Sequence, residues 1–144
     1  MHDKITMRVA LPLNIIVTIF FGFESLLGGI CGSLMALIMN PDLDLSGVTR
    51  AEGNAYRLFV PFGILWQMFW TPYGRIKHRS FISHGFIIGT FGRVLYLALP
   101  LSLLGNIDGW SWQWLLNYQE FITWFIYGLL IADTLHLIAD GWKI

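Results

Sequence analysis

The segment Lys77-His78-Arg79-Ser80-Phe81-Ile82-Ser83-His84-Gly85 gathers two imidazoles, a guanidinium and two hydroxyls where a basic stretch runs into a long apolar one. Neutral imidazole is the commonest protein metal ligand, and carboxylates share sites with it around Zn, Mn or Fe. Three other places in the chain offer such groups: His2-Asp3, Asp42-Leu43-Asp44, and Asp133, His136 and Asp140. In an extended backbone Asp42 and Asp44 point to one side. Asp133, His136 and Asp140 follow the i, i+3, i+7 spacing of a single helical face. His78 and His84 are too awkwardly spaced for one continuous helix face, so we expect His78 in a loop and His84 in a first helical turn, capped by Ser80 or Ser83.

Each group also has a plainer account. Asn40-Pro41-Asp42 is ordinary turn chemistry, and His2-Asp3 can be a frayed terminus. Asp140 can be merely solvated, and Arg79 can be a membrane anchor. Arg93 lies well inside an apolar stretch and must pair with an acid or a carbonyl; Asp133 is the partner expected for it.

The composition says what must position these groups. Of the 144 residues, 56% are hydrophobic and only 12% charged, with a mean hydropathy of +0.61. Soluble domains carry about a quarter charged residues, so this surface is too apolar to face water all round. The 16% aromatic content and 7 Trp suit a chain with two membrane interfaces, where amphipathic rings settle. A formal net charge of zero gives no global pull on nucleic acid, and none is expected as a partner. The lone Cys31 excludes an internal disulfide and a multi-cysteine zinc site. No secretory signal peptide is recognisable, because the first apolar run leads almost directly into the second.

We therefore expect an all-α integral membrane protein, one membrane-embedded metal-binding domain over residues 1–144, with about four transmembrane helices and one short interfacial amphipathic helix. Val9 to Phe23 and Ser25 to Met39 form the first two helices, joined near Gly22-Ser25 and each short against the ~20 residues a span needs. Gly28 and Gly32 make a small-xxx-small pair that lets helices approach closely. Val48 to Tyr56 reads as a polar loop. Pro61 to Trp70 carries Phe62, Leu65, Trp66, Phe69 and Trp70 on one face and reads as the interfacial helix. Phe81 to Leu104 and Leu115 to Asp140 complete the four, with Trp110, Trp112 and Trp114 anchoring the loop between them.

With four spans, the head, the Pro41–Ser80 stretch and the tail lie on one side. Lys4, Arg8, Arg50, Arg57, Arg75, Lys77, Arg79 and Lys143 fall there, whereas the opposite loops carry only Glu24, Asp108 and Glu120. The positive-inside bias puts both termini in the cytoplasm. The same topology brings all 4 histidines and most of the acids to that edge, a convergence it was not built to produce.

These blocks resemble a known family. His2-Asp3 with Thr6, Pro41-Asp42-Leu43-Asp44, Trp70-Thr71-Pro72-Tyr73, His78-Arg79-Ser80-Phe81-Ile82-Ser83-His84-Gly85 and Arg93-Val94-Leu95-Tyr96-Leu97 look like signature blocks of small bacterial membrane proteins described as uncharacterised metal-binding proteins. Through the Pro-Asp-Leu-Asp and His-Arg-x-x-x-x-His blocks these are similar to the inner-membrane metal-dependent hydrolases. The resemblance implies His2, Asp3, Asp42, Asp44, His78, His84 and the Asp133/His136 pair as metal ligands.

Two functions compete. In the first, one or two divalent ions (Zn, Mn or Fe) serve a metal-dependent hydrolase at the cytoplasmic leaflet of a bacterial inner, or thylakoid-type, membrane. Its substrate would be a phosphoester or lipid-linked molecule. Asp44 or Asp140 would act as general base and Arg79 would stabilise an anionic leaving group. In the second, the metal is structural and the chain is a non-catalytic small subunit or assembly factor of a larger membrane complex. Expected partners are accordingly the lipid bilayer, such a substrate, and other membrane subunits or a second copy. A transporter fits less well, because its ions should bind near the midplane rather than at one edge.

Overall fold

The computed structural model describes residues 6–39, 43, 49–75, 85, 87–107 and 116–139. These residues are almost entirely helical. A π-helical turn, Thr6–Ala10, leads into α1, Leu11–Thr18. Helices α2 (Phe23–Met35), α3 (Arg50–Leu58), α4 (Val60–Trp70), α5 (Ile88–Ile107) and α6 (Gln119–Ala139) follow, with a 3-10 turn at Tyr73–Arg75. No strand occurs among the described residues.

Gly22, at φ 112° and ψ 177°, reverses the chain between α1 and α2, a conformation that a side chain would oppose. Asn14 Nδ2 ties the two helices by donating to Ser33 Oγ at 2.6 Å, and Thr18 packs against Gly29. The most extensive helix contact is α2 on α6. A Cβ at Gly28 would lie 2.4 Å from the Phe121 carbonyl oxygen, and one at Gly32 would lie 2.0 Å from that of Phe125. From the other side, a Cβ at Gly128 would lie 2.5 Å from the Gly29 carbonyl oxygen. The small-xxx-small pair is therefore used, but against α6; it is Gly29 that faces α1. Because successive α2 glycines meet successive turns of α6, these two helices run parallel.

The stretch expected as a polar loop is α3. Thr49 Oγ1 accepts from the Glu52 amide at 3.2 Å, and Glu52 Oε2 accepts from the Thr49 amide at 2.7 Å. This reciprocal capping box starts a helix whose Ala51, Glu52 and Ala55 are buried while Arg50 and Arg57 stay outside. Polar composition marked the outer face, not the absence of structure. Helix α4 also departs from expectation. Trp66 and Trp70 are buried, but Leu65 is 66% exposed beside exposed Ile64 and Met68. Its outward side is thus apolar as well, and the amphipathic member of the pair is α3. Gly63 seats α4 on Tyr56, and Tyr56 Oη donates to Gln67 Oε1 at 2.5 Å. This pair also closes the end of α2: Asn54 Nδ2 and Trp66 Nε1 each donate at 2.9 Å to the Leu37 and Ile38 carbonyls, which the helix end leaves without partners.

Among the described residues one helix, α6, is long and apolar enough to cross a membrane. Met7–Thr18, Phe23–Met35 and Ile88–Pro100 are apolar but shorter, and Pro100 lies inside α5. Of the four spans expected, one has both the length and the apolarity to cross a membrane among the described residues.

Candidate metal centre

Helix α6 carries Asp133 and His136 one turn apart, on the face that also buries Leu129, Ala132 and Leu137. Asp133 is 1% exposed and His136 4%. A carboxylate that deep must be compensated, and α5 supplies the compensation. Thr90 and Arg93, one turn apart on α5, are each buried to 1% exposure. Thr90 Oγ1 donates to Asp133 Oδ2 at 2.6 Å, and Arg93 Nη2 forms an ion pair with the same oxygen. Asp133 Oδ1, equally buried, has no hydrogen-bond partner among the described residues. The partner expected for Arg93 is therefore the one found. Thr90 is a site residue that the sequence motifs do not single out, although the Thr90-x-x-Arg93 spacing places both side chains on one face.

Around this pair, α5 leans on an aromatic cluster. Tyr96 Oη donates to the Phe69 carbonyl at 2.9 Å, and the Tyr96 ring meets those of Phe69, Trp70 and Tyr73 at centroid distances of 5.1, 5.1 and 5.5 Å. Trp70 and Tyr73 belong to the same buried core as Ala10, Met39, Leu43, Leu129 and Ala132. The core thus gathers the start of α1, the end of α2, Leu43 and the middle of α6.

The start of α6 is different in kind. There Ser25 Oγ donates to Glu120 Oε1 at 2.5 Å, next to exposed Phe20, Phe21 and Phe23.

Of the residues named from sequence, the structure brings Asp133 and His136 to one buried face. His2, Asp3, Asp42, Asp44, His78, Arg79, His84 and Asp140 lie outside the described residues. Among the described residues no three His, Cys, Asp or Glu side chains converge as a metal site. The comparison with known families supplies what this geometry does not. A family model described as "Uncharacterized metal-binding protein (DUF2227)" matches residues 1–144. The chain belongs to this metal-binding family. No curated protein and no solved structure matches it.

For a member of a metal-binding family, the donor chemistry of α6 is apt. A carboxylate and an imidazole at i, i+3 suit Zn, Mn or Fe, and Asp133 Oδ1, without a hydrogen bond among the described residues, is a buried acceptor of the type a cation satisfies. These two groups are fewer than the three or four protein ligands of a zinc site, so a zinc site built on them would need donors from other segments.

Proposed function

We propose that this metal-binding protein is an integral membrane protein that holds one or two divalent ions at the end of the bundle where α6 finishes, and that the ions serve a hydrolase. The observation that carries the reading is the buried Asp133–His136 face of the apolar helix α6. Ionisable groups in such surroundings are costly, and where they persist they mark a functional site.

The points at which the remaining candidate segments join the described chain support a single site. His2 and Asp3 precede the π turn that packs on α6. Asp42 and Asp44 are covalent neighbours of Leu43, which is 2% exposed in the core with Ala132. His84 adjoins Gly85, whose carbonyl accepts from the Gly89 amide at 2.7 Å at the foot of α5. Asp140 follows Ala139, the last residue of α6. Consecutive Cα atoms are ~3.8 Å apart, so these tethers are short. His2, Asp3, Asp42, Asp44, His78, His84, Asp133 and His136 form the ligand set we propose.

A divalent ion there supplies a Lewis acid that polarises an ester and acidifies water. The chain's own residues do the rest. Asp44 or Asp140 takes the proton, Arg79 steadies an anionic oxygen, and Arg93 holds Asp133 in place. Bilayer embedding is supported by outward-facing Leu95, Leu99, Leu103, Ile16 and Phe20. Orientation with the site toward the cytoplasm is supported by Arg8 in the π turn and Arg50, Arg57 and Arg75 on α3 and the turn after α4, against Glu24 and Glu120 at the far end. A bacterial inner or thylakoid-type membrane has that polarity, and a phosphoester or lipid-linked molecule in its inner leaflet is the matching substrate.

Elemental analysis of the detergent-purified full chain tests the reading. Wild type should carry Zn, Mn or Fe; His136→Ala, His84→Ala and Asp42→Ala should lose most of it while keeping their helix content. Full metal in all three variants, or none in wild type, overturns the site. A phosphatase and phosphodiesterase screen in mixed micelles with added Zn or Mn should then show turnover abolished by Asp44→Asn. A metal-loaded protein silent on every substrate class makes the ion structural and the chain a subunit of a larger complex.

A further inference from the structure

We propose that Thr90 and Arg93 are positioning residues for a metal ligand: by holding Oδ2 of Asp133 they leave its Oδ1 as the atom that binds the ion. This rests on the metal-binding reading above. What points to it is the asymmetry of one carboxylate. The terminal torsion of Asp is broad and nearly two-fold, so on its own the side chain could offer either oxygen. Here both donors from α5 converge on Oδ2, while Oδ1 is buried and takes no hydrogen bond among the described residues.

A carboxylate serving only as a counter-ion is better matched by a bidentate arginine, with one N–H on each oxygen. The Arg93 ion pair is instead stacked onto the oxygen that Thr90 already occupies, and the second oxygen stays open on the α6 face that also bears His136. Leaving a buried acceptor empty is unfavourable; a cation shared with the imidazole one turn on removes that penalty. Hydrogen bonds that orient a ligating carboxylate are the usual outer support of a metal site.

Zinc titration of the metal-stripped, detergent-solubilised full chain, read beside helix content and thermal unfolding, tests the inference. Thr90→Val keeps shape and should weaken zinc binding roughly ten- to hundredfold, the range for lost outer support, with Thr90→Ser restoring it. Asp133→Asn can still accept from Thr90 and Arg93 through its amide oxygen but puts an NH2 group where Oδ1 was, and should abolish tight zinc binding in a folded chain. Arg93→Met alone strands a buried carboxylate and can fail to fold. The double variant Arg93→Met with Asp133→Leu replaces the whole pair by apolar groups, which buried pairs often tolerate; it should fold and yet bind zinc weakly.

If Thr90→Val, Asp133→Asn and the double variant all titrate like a zinc-binding wild type, Asp133 is only the counter-ion of Arg93 and the inference fails, while the metal-binding reading survives. A wild type that takes up no zinc, manganese or iron overturns both.

Discussion

Helix α6 is fastened twice, by opposite means. Its first half is pressed onto α2 through bare backbone, with Gly28 and Gly32 against Phe121 and Phe125 and Gly128 against Gly29. Its second half is clasped to α5 by polar side chains, Thr90 and Arg93 on Asp133, where the two helices otherwise touch little. In the bilayer proposed above, hydrophobic burial would do little to favour one helix pairing over another; close packing and interhelical polar contacts would decide. The glycine seam is a permanent contact that asks for nothing further. The polar clasp holds a buried charge in place, and removing one partner of such a pair costs far more than replacing both by apolar groups.

Four substitutions break or sharpen that contrast. The largest effect should follow Arg93→Met, which leaves Asp133 buried and uncompensated at a cost of ~3–5 kcal/mol; denaturant unfolding in micelles measures it, and a loss below ~1 kcal/mol would show that the pair is wetter than its burial implies. Next comes Gly32→Ala. Its Cβ, 2.0 Å from the Phe125 carbonyl oxygen, forces α2 and α6 apart and should cost ~1–3 kcal/mol, the usual range for overpacking. Unchanged stability there would mean that the seam is loose. Thr49→Ala removes the α3 cap and should cost ~1 kcal/mol, with faster amide exchange confined to residues 50–58, because α3 belongs to neither fastening. The smallest effect, of opposite sign, belongs to Gly53→Ala. Nothing lies within 4 Å of a Cβ at that position, so the change should stabilise the chain by ~0.5–1 kcal/mol. The two Gly→Ala results together separate backbone contact from glycine's general cost in a helix.

Some of this was legible beforehand for clear reasons. A lone arginine in an apolar helix has few acids to choose from, so the Arg93–Asp133 pair followed from the need to compensate a buried charge. The small-xxx-small pattern announced a close helix approach but not its partner, since every apolar neighbour offers the same attraction. Polar composition points to a loop at α3, yet Thr49-Arg50-Ala51-Glu52 is a capping-box pattern, and a specific pair of hydrogen bonds outweighs composition there. Thr90 was invisible because a threonine in an apolar run ordinarily bonds to its own helix, and only an opposing carboxylate gives it another use.

The sequence by itself determined the class of the chain: helical and apolar, with histidines and carboxylates of metal-ligand type spaced along it. Those properties depend on composition and on spacing along one strand of chain, which folding does not change. Which glycine meets which helix, which oxygen of Asp133 is held and which is left open, and that α3 covers the end of α2 were decided only by the tertiary structure. Each is a relation between segments far apart in sequence, set by a fit of a few tenths of an ångström that no local pattern encodes.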